Sequence, residues 1–181
     1  TINGKQLYQD SDGWILLLAY KRVAGENSEL VSGTPPTSPT EGYSHIWLND
    51  LGLSASDVES VRFYCTSSSH SRVMHFSTNK DWIKSTIMTG STSGNLLSYW
   101  TSSTTKFTDH TAFLPDNSDT AGSNAGGSDQ SLFTEPFFKQ SSYLWNIRAW
   151  GTARWECDDC CGSQFSTHHQ IWFKRKSSGN R

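Results

Sequence analysis

The sequence lacks the features that mark several large classes of protein. Charged residues make up only 18% of its 181 residues, the formal net charge is -2, and no basic stripe is present, which argues against a nucleic-acid partner. The longest apolar run, residues 14–20, is far shorter than the ~20 residues of a membrane span. No internal repeat occurs and no Pro/Gly-rich linker separates two hydrophobic patterns. We therefore predict one domain over residues 1–176, followed by a flexible tail at 177–181.

Catalytic sequence motifs are also absent. The chain contains no Gly-x-Ser-x-Gly elbow, no His-Glu-x-x-His and no phosphate-binding glycine loop. Asp109 and His110 are adjacent, but a lone Asp-His pair is weak evidence for catalysis. Sequence spacing alone does not exclude a glycosidase that uses two carboxylates. We predict a protein without catalytic activity.

Aromatic and small polar residues, in contrast, are abundant. The chain has eight Trp, nine Phe and six Tyr, together with many Ser, Thr, Gly and Asn. This composition is typical of extracellular β-rich domains with long polar loops rather than of helical cytosolic enzymes. Thr1 as the first residue is compatible with a processed secreted protein. The sequence has no N-glycosylation sequon, so glycosylation gives no support to secretion. We predict a secreted, single compact domain that is mainly β, with long loops and one or two short helices.

Hydrophobic spacing places the main elements. Period-two or continuous apolar patterns predict strands at residues 13–20, 43–48, 60–65, 71–76, 142–150 and 168–175. Helical spacing is present at 81–88, and a short helix capped by Ser54 or Ser56 is expected at 54–60. Residues 89–131 are mostly small and polar and are expected to form a long loop.

The four cysteines favour disulfides over a metal. Cys157-x-x-Cys160 has zinc-knuckle spacing, but a second Cys-x-x-Cys or a His-x3-His is missing. Cys65 ends a predicted strand and needs a distant partner among Cys157, Cys160 and Cys161. The adjacent Cys160 and Cys161 rarely bond each other because the geometry is strained. Either both bridges lie within the chain, or one does and the other two cysteines cross to a second subunit.

Two acidic stretches are candidate calcium sites. Glu156, Asp158 and Asp159 lie close together in what we predict to be a surface loop, and a divalent cation would relieve their mutual repulsion. The alternative is a solvated acidic loop without a metal. A second set of oxygen ligands is expected among Asp116, Asn117 and Asp119, where neighbouring glycines let backbone carbonyls turn inward.

Aromatic and polar side chains near the carboxyl end suggest a sugar site. A sugar has an apolar C–H face and a polar rim, so its site needs one ring and several donors and acceptors. Trp150 or Trp155 could cover the apolar face, and Asn146 or His168 could bind the hydroxyls. His168 and His169 should point to opposite faces of a strand, so that one of them reaches a ligand.

Two segments carry a resemblance to known proteins. The opening "DSDGWILLLAYKR" resembles the first strand of fibrinogen-like and intelectin-like domains. The segment "RWECDDCCG" with the strand "HHQIWFKR" is similar to the carboxyl-terminal signature of secreted proteins from corals and sea anemones. The chain as a whole resembles calcium-dependent, galactose-specific lectins of sea-anemone type.

This resemblance implies a secreted lectin that forms a homodimer, linked by disulfides, and binds galactose-terminated glycans partly through calcium. It departs from C-type lectins, because "TEPFF" lacks their Glu-Pro-Asn and "WLND" is not their Trp-Asn-Asp. The alternative is a secreted, disulfide-bonded matrix or adhesion module with a structural calcium ion and no sugar site.

Overall fold

Nine β-strands and a single α-helix form the regular structure of the described residues. The computed structural model describes residues 1–26, 30–90, 104–112, 138–140, 143–149, 154–159 and 164–177. The strands are β1 (Trp14–Arg22), β2 (Tyr43–His45), β3 (Val58–Ser67), β4 (Met74–Thr78), β5 (Thr104–Lys106), β6 (Phe138–Gln140), β7 (Tyr143–Ala149), β8 (Arg154–Asp159) and β9 (Thr167–Arg175). Helix α1 spans Asp81–Thr86, and Leu48–Leu51 and Ala55–Asp57 form short 3-10 helices. The predicted mainly β fold with short helices is confirmed.

Six strands form an antiparallel sheet in the order β2-β1-β9-β3-β4-β5. The last strand of the chain, β9, therefore lies in the middle of the sheet, paired with β1 on one side and β3 on the other. Its residues alternate between two faces. His169, Ile171 and Phe173 are buried on one face, and Gln170 and Trp172 lie on the other.

The strands β6, β7 and β8 form a second antiparallel sheet, which packs on the first. Trp145 of β7 meets Phe63 of the large sheet with ring centroids 5.8 Å apart. Trp155 of β8 meets Tyr20 at the same distance. Burying such rings is the main stabilising term, about 1.5–3 kcal/mol for each large apolar side chain. The shared core therefore holds the two sheets together.

Several predicted elements appear close to their expected positions. The strands at 60–65 and 71–76 become the antiparallel pair β3 and β4, and the helical spacing at 81–88 becomes α1. Ser54 precedes the short 3-10 helix, where its backbone N–H and hydroxyl both bond Asp57. In the part of the chain that the structure describes, no helix has the length and apolar character needed to cross a bilayer.

Candidate functional site

The acidic stretch at residues 156–159 lies on strand β8, so its prediction as a surface loop is wrong. Trp155 and Cys157 are buried in the core between the sheets. The sulfur of Cys157 is bonded to that of Cys65, which is one of the three pairings that the sequence left open. Because a large ring and a disulfide fix this strand in the core, the neighbouring Glu156 and Asp158 are buried as well.

Glu156 is buried against Asn146 of the neighbouring strand β7. The Asn146 side-chain amide donates to Glu156 Oε2 at 3.2 Å, and the Glu156 backbone N–H donates to Asn146 Oδ1 at 3.0 Å. The Glu156 carbonyl lies 2.9 Å from His169 Nε2, which donates to it. These contacts give Glu156 and Asn146 a structural role in joining β7, β8 and β9.

Asp158 occupies a bulge in β8. Its φ of 56° lies in the left-handed region, and the pairing of β7 with β8 shifts register beside it. The bulge directs its buried carboxylate to Arg72, whose Nε donates to Asp158 Oδ2 at 2.6 Å. Arg72 Nη2 also donates to the Asp158 carbonyl at 2.7 Å. A guanidinium therefore neutralises this carboxylate.

Asp159 has a third set of partners. Its Oδ2 accepts from the Ser69 hydroxyl at 2.6 Å, and its Oδ1 accepts from the Cys157 backbone N–H at 3.1 Å. His70 Nε2 lies 3.7 Å from Asp159 Oδ2. The same nitrogen lies 2.8 Å from the Cys157 carbonyl, to which it donates.

The structure thus does not bring Glu156, Asp158 and Asp159 together as one calcium site. Across the described ranges, no group of three or more His, Cys, Asp or Glu side chains converges on a common point. The other predicted calcium ligands, and three further predicted site residues, lie outside the described residues: Asp116, Asn117, Asp119, Trp150, Cys160 and Cys161.

The structure also does not bring the predicted sugar-binding residues together on one accessible surface. Asn146, Trp155 and His169 are at most 1% exposed, so a sugar has no access to them. Burial lowers the pKa of His169 from its usual 6.5 to about 3, which keeps the ring neutral. His168 lies on the opposite face, where it packs edge-on against Tyr64. The prediction that the two histidines face opposite ways is confirmed.

Asp109 and His110 do not pair with each other. Asp109 Oδ1 lies 2.7 Å from His75 Nδ1, and His75 stacks on Phe107 with ring centroids 4.2 Å apart. His110 Nδ1 instead accepts from the backbone N–H of His75 at 3.0 Å. Burial, the largest influence, lowers the pKa of both histidines, and Asp109 partly opposes it at His75.

A second aromatic cluster lies on the face of the large sheet that is turned away from the small sheet, which we call the outer face. The Arg62 guanidinium lies 4.3 Å from the Trp172 ring centroid, 5.0 Å from that of Trp14 and 5.4 Å from that of Phe107. Arg62 Nη1 also bonds Asp10 Oδ2 at 3.4 Å. Cation–π contacts in such desolvated surroundings are worth up to about 2 kcal/mol. This stack fixes the two Trp rings.

A tight turn delivers Trp14 to the outer face. Asp10 Oδ1 accepts from the backbone N–H groups of Asp12 and Trp14 at 2.9 and 3.0 Å. Gly13 has a φ of 93°, a backbone conformation that residues with a side chain rarely adopt. Its N–H donates to the Asp10 carbonyl. The turn therefore places Trp14 at the start of β1, directly opposite Lys174 of β9.

A pocket of about 280 Å³ opens beside Trp14 at this corner of the outer face. Lys174 is opposite both Trp14 and Ser60, and Ser77 is opposite Thr105, so cross-strand neighbours build its walls. We call it the Trp14 pocket, and its lining comprises Trp14, Glu59, Ser60, Ser77, Thr78, Asn79, Thr105 and Lys174.

The Trp14 pocket combines an apolar ring with many polar groups. The Lys174 ammonium lies 5.6 Å from the Trp14 ring centroid. Glu59 and Asn79 are exposed, and four residues contribute hydroxyl groups beside them. One carboxylate balances one ammonium, so the lining has no formal net charge. Such a set suits a small, neutral ligand with several hydroxyl groups, and the volume is close to the lower end of small-molecule sites.

The sequence did not predict this pocket, because its lining is assembled from residues that are far apart in the chain. In β9, the outer-face residues His168, Gln170, Trp172 and Lys174 alternate with the core-facing His169, Ile171 and Phe173, and this period-two arrangement is the signal of a second usable face. Comparison with known proteins finds no match to the chain among protein-family models, curated proteins or solved structures. The resemblance to sea-anemone lectins remains a prediction.

Proposed function

We propose that the chain is a carbohydrate-binding domain without catalytic activity, and that the Trp14 pocket holds a neutral sugar. The observation that carries this proposal is the joint presence of Trp14, Glu59, Asn79 and Lys174 around one small pocket. A ring with balanced charges and amide and hydroxyl groups matches the apolar face and polar rim of a sugar.

Each lining group has a distinct part in the proposed site. The Glu59 carboxylate accepts hydrogen bonds from two neighbouring sugar hydroxyls, because its two oxygens are both acceptors. Asn79 and Lys174 donate to sugar oxygens. Trp14 is only 7% exposed, so the Lys174 methylene stem supplies most of the contact with the C–H face and the accessible part of the Trp14 ring supplies the rest. Since the ligand is small and well hydrated, affinity for one sugar should be about millimolar.

Galactose as the sugar, calcium as the cofactor and secretion belong to the same proposal, and the resemblance to sea-anemone lectins supports them. The contacts of residues 156–159 favour calcium ligands elsewhere, and the remaining predicted ones are Asp116, Asn117 and Asp119. A homodimer linked through Cys160 and Cys161 would raise avidity on a glycan-covered surface by multivalency.

The first test passes the full chain over immobilised galactose in calcium and then in EDTA. Retention followed by release supports the complete proposal. Retention that persists in EDTA supports the Trp14 pocket and removes calcium from the binding step. Flow-through on galactose and on other neutral sugars would contradict the proposal and favour the matrix or adhesion module.

A further inference from the structure

The outer face carries a second pocket at the opposite end of β9. Lys21 of β1, His168 of β9 and Thr66 of β3 are direct cross-strand neighbours, and all three line a pocket of about 410 Å³. We call it the Lys21 pocket. His168 and Lys174 are six residues apart on β9, so the two pockets are roughly 20 Å apart on one face.

The charge of the Lys21 pocket differs from that of the Trp14 pocket. Its charged lining residues are Lys21 and Arg22, and its lining includes no carboxylate. Neither cation forms an ion pair within 4.0 Å to another described residue. The Trp14 pocket balances Lys174 with Glu59, whereas the lining of the Lys21 pocket has two cations and no carboxylate. The charges of Glu26 and Glu41 act on Arg22 and His168 from outside that lining.

The burial of Arg22 makes this excess of positive charge destabilising. Its guanidinium is buried, with Nε donating to the Glu26 carbonyl at 2.7 Å and Nη1 to the Phe165 carbonyl at 2.8 Å. Nη2 has no hydrogen-bond partner among the described residues. Burial lowers the pKa of Arg22, and the charge of Glu26 only partly opposes this. A buried cation held mainly by carbonyls is stabilised when an anion binds nearby.

Two hydroxyl groups of the pocket are set up as donors. Ser68 Oγ accepts from the Ser166 backbone N–H at 2.9 Å, and Ser166 Oγ accepts from the Ala24 backbone N–H at 2.9 Å. Among the described residues neither hydroxyl donates a hydrogen bond, so both O–H protons can be donated to a ligand. The pocket therefore offers an ammonium and two hydroxyl donors, the set that an oxyanion needs.

We propose that the Lys21 pocket binds an oxyanion carried by an acidic sugar, either a sulfate ester or a carboxylate. The sugar part of this inference rests on the proposed function, because the two pockets share the outer face. The domain would then bind acidic glycans long enough to span the roughly 20 Å between the pockets, with a neutral unit in the Trp14 pocket and the charged group in the Lys21 pocket. A single acidic sugar would occupy the Lys21 pocket alone.

The test compares the affinities of the full chain for galactose, galactose 6-sulfate, galacturonate and inorganic sulfate by calorimetry. We expect one or both acidic sugars to bind about fivefold more tightly than galactose. The preferred acidic sugar identifies the oxyanion. Lys21→Met should remove that preference without changing the affinity for galactose, and Lys106→Met, an exposed control on β5, should change neither. Equal binding of galactose and both acidic sugars, or a preference that survives Lys21→Met, would overturn the inference.

Two further outcomes separate this inference from the proposed function. Binding of acidic sugars that depends on Lys21, without any binding of galactose, would contradict the neutral-sugar site and support the oxyanion pocket. Inorganic sulfate that binds as tightly as galactose 6-sulfate would show a plain anion site and overturn the assignment to a glycan. Thermal unfolding of Lys21→Met provides the folding control, since Lys21 is exposed.

Discussion

The disulfide between Cys65 and Cys157 joins β3 of the six-stranded sheet to β8 of the three-stranded sheet. The two Cα atoms are 5.8 Å apart, and the residues are 92 positions apart in the sequence. On β9, His169 is the cross-strand partner of Cys65 and also donates to the Glu156 carbonyl beside Cys157. A covalent bond and a hydrogen bond therefore cross between the sheets at nearly the same place.

Removing this disulfide should destabilise the fold. The double substitution Cys65→Ala and Cys157→Ala should lower the free energy of unfolding by about 2–5 kcal/mol, since the bridge closes a long loop in the unfolded chain. Urea unfolding measures the change. The outer face should keep its arrangement, because both cysteines lie on the opposite side of the large sheet. An unchanged urea midpoint would show that the bridge does not constrain the sheets.

The Arg72–Asp158 pair should also be structural. Arg72→Met leaves a buried carboxylate without its guanidinium, which should cost about 3 kcal/mol of unfolding free energy. The exposed Arg175→Met is the matched control and should change stability little. The loss at Arg72 should be equal in calcium and in EDTA. A loss seen in EDTA that calcium removes would indicate instead that a calcium ion can replace the guanidinium at Asp158.

His169 should make stability depend on pH. Its pKa in the fold is about 3, below the usual 6.5, so the unfolded chain binds a proton there that the folded chain does not. This contribution is fully present above pH 6.5 and is lost as the pH falls towards 3. His169→Gln should reduce the slope of stability against pH by about 1.4 kcal/mol per unit in this window. An unaltered slope in urea titrations at several pH values would show that residues other than His169 cause the loss of stability in acid.

Glu59 should contribute to sugar binding without contributing much to stability. Glu59→Gln replaces one acceptor oxygen by a donor and should lower the affinity for galactose about tenfold, because hydrogen bonds to charged groups are among the stronger ones. Glu41→Gln is the matched control, since Glu41 is exposed and is not part of the Trp14 pocket lining. Calorimetry gives both affinities. Equal affinity in the two variants would remove Glu59 from the site.

The sequence predicts much of the fold because the local patterns are strong. The alternation in residues 60–65 and 71–76 requires a two-sided sheet, and the spacing at 81–88 fits a helix. Strand β8 was not predictable in this way, because its charged residues are typical of a loop. They become buried only through partners that are distant in the sequence, such as Arg72, which is 86 positions from Asp158.

The candidate site could be predicted less well than the fold. Its lining residues come from β1, β3, β4, β5 and β9 and from Asn79, which follows β4, so no single segment contains a motif. Trp14 was visible only as part of a buried apolar strand. Its place beside Glu59 and Lys174 follows from the strand order, with β9 inserted between β1 and β3. That order is a property of the whole sheet rather than of any local pattern.

A nuclear magnetic resonance titration with galactose tests the central claim most directly. The ¹⁵N-labelled full chain would be titrated in calcium, and the backbone signals that move would be mapped on the sequence. The account predicts that the largest changes cluster at Glu59, Ser77, Asn79 and Lys174, around the Trp14 pocket. Changes confined to residues 115–130 or 156–159, or no changes at all, would contradict it.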